Sequence, residues 1–239
     1  MRIGLNRFAM MVAALVAFAA SSAFAQPGGG GFGRGGFGGG TPDPTTYLGQ
    51  EPVQKELELS GEQKTKVTEL ADSARQARRE LFQNAQGGGG DFQEMQKKMT
   101  EMAEANKKKV GEILAPPQVA RLDEIMLQVA LSQSAPGALS QASNAEKLGL
   151  TAEQKQKIAD LVQKNQEKMG ELFQNAQGDF QGMQEKMTKL REEQKTDAMA
   201  VLTAEQKDKL EKLQGKKFDT ASIQLRGGFG GGFGKKGGN

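Results

Sequence analysis

The chain has 239 residues with no cysteine and no histidine; 36% are apolar, 5% are aromatic, and the formal charge is +3. These absences exclude disulfide staples, Ser-His-Asp and Cys-His nucleophile systems, HExxH zinc sites and imidazole proton shuttles. The lean apolar content points to a thin layer of helices, and without Arg2 and Arg7 the charge falls by two to +1, which gives no argument for nucleic-acid binding.

In chain order, Arg2 and Arg7 precede an apolar run from Phe8 to Ala20, and Ala23-Phe24-Ala25 forms a small-x-small cleavage pattern. Residues 1–25 are therefore expected to be a signal peptide, and the chain to be exported. An uncleaved anchor is the alternative, but the run is short against the ~20 apolar residues that a spanning helix needs. No later segment approaches that length, so no integral membrane segment is expected after cleavage. Residues 26–50 are Gly-rich and residues 219–239 are Gly/Phe-rich; both are expected to be disordered, because ordering glycine costs the most backbone entropy. Gly31-Phe-Gly-Arg-Gly-Gly36 matches GxGxxG only formally, since no strand precedes it and no helix follows.

Between the tails the sequence repeats itself. ELFQNAQ stands at 80–86 and again at 171–177. From Leu59 and from Leu150, 13 of 28 positions are identical at an offset of 91; from Gly90 and from Gly178, 14 of 33 are identical at an offset of 88. The three residues lost between the offsets are Gly87, Gly88 and Gly89, as expected where the chain turns, because a loop tolerates added length cheaply. Apolar residues recur in steps of three and four on both sides of each turn, at Val67, Leu70, Ala74 and Leu81, then at Phe92, Met95, Met99 and Met102. This is helical periodicity, with charges on the opposite face.

Helix starts carry a shorter signature. Ser60-Gly-Glu-Gln63, Thr151-Ala-Glu-Gln154 and Thr203-Ala-Glu-Gln206 are capping boxes, each preceded by a leucine: Leu59, Leu150 and Leu202. A fourth version, Leu114-Ala-Pro-Pro-Gln118, replaces the hydroxyl with proline in the first turn. Pro116 and Pro117 should end the preceding helix near Ala115. The predicted fold class is therefore all-α. Two tandem repeats, at 51–133 and 146–218, each hold a long helical hairpin plus a shorter third helix, joined by a Ser/Ala/Gly/Pro linker at 134–145. A helix over 61–86 would be about 39 Å long at ~1.5 Å per residue.

Four L-[ST/A]-x-x-Q boxes at the heads of polar helices, behind a predicted signal peptide and without cysteine, make this chain resemble the Spy/CpxP family of LTxxQ proteins over roughly Pro52 to Phe218. The resemblance implies a periplasmic, all-helical, cradle-shaped protein, usually a homodimer, that chaperones unfolded envelope proteins without ATP; a related branch senses or buffers metals. Two units in one chain depart from that pattern. The expectation is either a monomer whose copies pair about a pseudo-two-fold axis or a homodimer.

The surface expected to bind unfolded envelope proteins clusters near the hairpin tips: Phe82, Phe92, Met95 and Met99 with Arg75, Arg78 and Arg79, and the counterparts Phe173, Phe180, Met183 and Met187. Methionine and aromatic rings adapt to varied partners, and nearby charge speeds encounter. Plain helix-to-helix packing would require the same residues. A metal-responsive reading competes, because Met95, Met99 and Met102, and Met183 and Met187, set soft thioethers on one helix face; a purely structural envelope protein is the other alternative. No catalytic set, cofactor or metal site is assigned.

Overall fold

The computed structural model describes residues 43–86, 92–174 and 180–223, and the secondary structure among them is helical, without a strand. The predicted signal peptide, the Gly-rich segment up to residue 42, residues 87–91 and 175–179 where turns are predicted, and the tail after residue 223 lie outside the described residues. The fold is all-α, as expected.

A short, short, long, long, medium order of helices occurs twice. The first unit is α1 (Thr45–Leu48), α2 (Glu51–Glu56), α3 (Gly61–Gln86), α4 (Phe92–Ile113) and α5 (Pro116–Gln133). The second is α6 (Ala135–Ser140), α7 (Ala142–Leu148), α8 (Ala152–Gln174), α9 (Phe180–Val201) and α10 (Ala204–Gln214). The 26-residue α3 spans the predicted range, and the prolines end α4 two residues before Ala115.

Residues 134–145 are therefore not a linker. They fold as α6 and the start of α7, because Ser134 accepts from the Gly137 amide at 3.2 Å, Pro136 presets the first turn, and Leu139 is wholly buried. The same correction applies to the first unit, which begins before residue 51. α1 buries Leu48, 91 positions before Leu139, and burying Tyr47 and Leu48 offsets the cost of ordering a segment that follows a Gly-rich stretch. The repeat thus includes two short leading helices that its composition disguised.

Backbone detail supports the equivalence. Glu58 at φ 50° and Gly149 at φ 67° stand 91 apart, each just past the end of α2 or α7 in the left-handed region. Leu59 N donates to Gln54 O at 3.1 Å, and Leu150 N to Ala145 O at 2.9 Å, the same six-to-one closure of a helix C-terminus. One unit meets the requirement with glycine and the other with a strained glutamate.

Two apolar cores lie at the hairpin bases. The first gathers Leu48, Val53, Leu57, Val67, Val110 and Leu122 with their neighbours; the second gathers Leu139, Leu148, Ile158, Ala198, Leu202 and Leu210. α5 serves both, directing Leu122, Ile125 and Val129 into the first core and Leu127 and Leu131 into the second. After α10 the chain returns the exchange: Phe218 enters the first core and Ile223 packs against it. Each unit thus lends its C-terminal piece to the other's core, and packing of α5 on α9 and α10 joins the units further.

The returning strap, residues 216–223, also corrects the expectation that everything from residue 219 is disordered. It leaves α10 at Gly215, whose φ of 60° and ψ of −145° suit glycine alone and where a Cβ would overlap the Glu124 carboxylate. Gln128 Nε2 donates to Gln214 O at 2.6 Å and Lys216 O at 2.8 Å, its Oε1 accepts from Phe218 N at 2.8 Å, and Arg121 Nη1 donates to Lys216 O at 2.7 Å. Burying one phenylalanine and part of one isoleucine contributes about 4 kcal/mol, and the three hydrogen bonds to the strap itself about 1 kcal/mol each. Ordering the strap backbone costs about 1 kcal/mol or more per residue. Gain and cost nearly cancel, so the strap is held marginally.

Candidate functional site

The four boxes work in pairs. At the base of the first hairpin Gln63 Nε2 donates to Gln118 Oε1 at 2.7 Å and Gln118 Nε2 to Gln63 Oε1 at 3.2 Å, closing a ring between the heads of α3 and α5. Each amide then completes itself on backbone. Gln63 accepts from Ser60 N and donates to Ile113 O; Gln118 accepts from Ala115 N and donates to Leu57 O. All four hydrogens and all four acceptor positions of the two amides are used. The second base repeats the arrangement with Gln154 and Gln206, at 2.7 and 2.9 Å, and with carbonyls of Val201 and Gly149.

The capping hydroxyls behave as expected, with Ser60, Thr151 and Thr203 accepting from the amide three residues on at 3.2 Å. Ala115 has no hydroxyl, and only the glutamine half of that box survives. The box leucines Leu59, Leu114, Leu150 and Leu202 are all buried, the first two in the first core and the last two in the second. An L-x-x-x-Q box is therefore an anchor, a cap and half of a cross-link. This fixes the two arms of each hairpin at their roots.

Further out, the arms have fewer neighbours. The two connected cores reach out to Leu70 and Val110 in the first hairpin and to Ile158 and Ala198 in the second, and beyond them Ala71, Ala74, Ala103, Leu190 and Met183 are still buried. Past Arg78, where α1 no longer covers α3, and toward the tip of the second hairpin, a two-helix layer leaves part of each apolar stripe uncovered. Phe82 is 45% exposed and Phe173 is 41% exposed, at corresponding positions 91 apart. Leu81, Met95, Met99, Leu172 and Met187 are half-buried. Met183 departs from the expected surface, being sealed at 7% exposure. The side chains of Phe92 and Phe180 lie outside the described set.

The arginines divide. Arg75 is exposed and pairs with Asp72 at 3.3 Å, and Arg79 is exposed. Arg78 is committed inward: Nη2 meets Asp43 Oδ2 at 3.0 Å, Nη1 meets Thr46 Oγ1 at 3.3 Å, and the same Asp43 oxygen accepts from buried Asn106 at 3.1 Å. Asp43 Oδ1 also caps Thr45. Arg78 therefore ties α1 to the hairpin and leaves the expected binding surface. Near the tip, Lys98 bonds Glu94 at 2.8 Å; this hydrogen bond holds the carboxyl below its ordinary range and the ammonium above its own.

Among the described residues no group of three or more Asp and Glu side chains is placed to hold a metal ion, and no helix is long and apolar enough to cross a membrane. Comparison with known proteins returns no matching family model, no matching curated protein and no matching solved structure.

Proposed function

We propose that this chain is an exported, periplasmic protein that binds unfolded or partly folded envelope proteins without nucleotide, on the outer halves of its two hairpins. The observation that carries this reading is the pair Phe82 and Phe173, exposed at equivalent sites beside half-buried methionines and leucines. Rigid roots and under-covered outer arms suit loose apolar contact with many sequences, and exposed charges such as Arg75, Arg79, Lys97 and Lys98 add long-range attraction. The resemblance of the four boxes to those of the Spy/CpxP proteins supports the same reading. Release needs no energy input, because contacts of this kind dissociate by themselves.

The test is a light-scattering assay on a chemically unfolded client diluted into buffer with the mature chain and no ATP. Suppressed aggregation at a few-fold molar excess is expected. Undiminished aggregation would return the chain to the structural or metal-responsive readings, which Cu(I) and zinc titrations then separate.

A further inference from the structure

We propose that the channel between α2 and α5, filled here by the strap at residues 216–223, is a second peptide-binding site. Its ligand class is a short, unfolded segment bearing one aromatic side chain, and the strap, which ends in a single 3-10 turn at Thr220–Ser222, is its displaceable internal occupant. The proposal rests on the reading that this chain binds unfolded polypeptide, and deepens it with a separate site.

The strap shows what the channel recognises. Three of the four hydrogen bonds from α5 involve the Gln128 amide, and all four end on strap or adjoining backbone: the carbonyls of Gln214 and Lys216 and the amide of Phe218. A side chain that donates to and accepts from main chain reads free backbone N–H and C=O groups of any sequence. Sequence enters through one deep anchor, Phe218, 8% exposed in the first core, and through Ile223, which packs against that core. Lys217 before the anchor and Ala221 between the anchor and Ile223 are exposed, so the channel makes no demand on them. Backbone capture plus a single aromatic anchor is the chemistry by which grooves hold unfolded segments.

The channel is also built to be filled. Gln128 is 9% exposed, and loss of the strap would strip its amide of the bonds to Lys216 O and Phe218 N in a buried place, which favours a replacement that brings its own N–H and C=O. The strap is held only marginally, and it leaves α10 at Gly215, a residue whose backbone conformation other side chains resist. An occupant that is weakly held and bound by generic contacts is suited to exchange.

The test uses the full chain and a labelled synthetic peptide carrying residues 214–223, read by fluorescence anisotropy. Phe218→Ala removes the internal anchor while leaving the channel floor intact. The peptide should bind this variant at least about tenfold more tightly than wild type, because the internal occupant no longer competes. That gain should vanish when the peptide's phenylalanine is replaced by alanine or when Gln128→Ala is added. If circular dichroism shows that Phe218→Ala has lost its helices, Ile223→Ala serves instead, since Ile223 belongs to the strap and only packs against the first core from its edge. Equal affinity for wild type and variant, or equal binding of the alanine peptide, would overturn the proposal. Peptide binding and aggregation suppression are separate readouts: a wild-type chain that suppresses aggregation while the opened channel ignores the peptide retains its function and loses this site.

Discussion

Gln63 and Gln118, 55 residues apart, exchange amide hydrogen bonds in both directions, and Gln154 and Gln206 do the same at the second base. The energetic content of a closed ring lies in its coupling. Removing either partner strands the other amide and frees a helix-terminal carbonyl, at about 1–3 kcal/mol. A double-mutant cycle with Gln63→Ala and Gln118→Ala, read by urea unfolding, should show a second loss smaller than the first and a coupling of about 1–2 kcal/mol. Strict additivity would mean that each glutamine merely caps its own helix.

The left-handed residues at 58 and 149 should respond in opposite directions to substitution. Glu58→Gly relieves a side chain held at positive φ and should add about 1 kcal/mol of stability. Gly149→Ala meets no neighbour within contact distance of the new Cβ, so backbone strain alone should subtract about 1 kcal/mol. Two changes of the same sign would break the equivalence of the two helix ends.

Tyr47 is the single tyrosine, and burial pushes its pKa up to about 12. The unfolded chain ionises near the ordinary value of about 10. Between those values only the unfolded state gives up the proton, so the stabilisation is complete below pH about 10 and is lost as pH rises toward about 12. At ~1.4 kcal/mol per unit the loss is about 3 kcal/mol. Alkaline urea titrations should show it in the wild type and not in Tyr47→Phe. Folded and denatured chains whose tyrosinate absorbance rises together would contradict the burial argument.

Arg78→Met should cost about 1–2 kcal/mol, since Asp43 loses a partly buried cation that also orients Thr46. Arg79→Met, one residue on and exposed, should stay within about 0.5 kcal/mol. Thermal melts of the two variants check the contrast; equal effects would show that Arg78 is as free as its neighbour.

Much of the fold was legible because it depends on local rules. The limits of α3 follow from Ser60 and Gln63 at its head and glycines after Gln86, and the end of α4 from Pro116 and Pro117. What was missed depends on partners distant in sequence. Ser134 to Ala145 has a linker's composition, and only the burial of Leu139 against another helix pair makes it a core element. The pairing of Gln63 with Gln118 left one usable signal, namely that Gln118 persists in a box whose hydroxyl had become Ala115. Arg78 and Arg79 are indistinguishable in sequence, because Asp43, which separates their roles, lies in a segment that composition assigned to the Gly-rich stretch.

The central claim is that unfolded polypeptide contacts the outer arms at Phe82 and Phe173. A photo-reactive residue placed in turn at 82, at 173 and at the exposed, equivalent root positions of Lys66 and Lys157 reads that contact directly. With an unfolded client present, cross-linked product should form from 82 and 173 and be near background from 66 and 157. Equal yields from all four positions, or yields only from the roots, would contradict it.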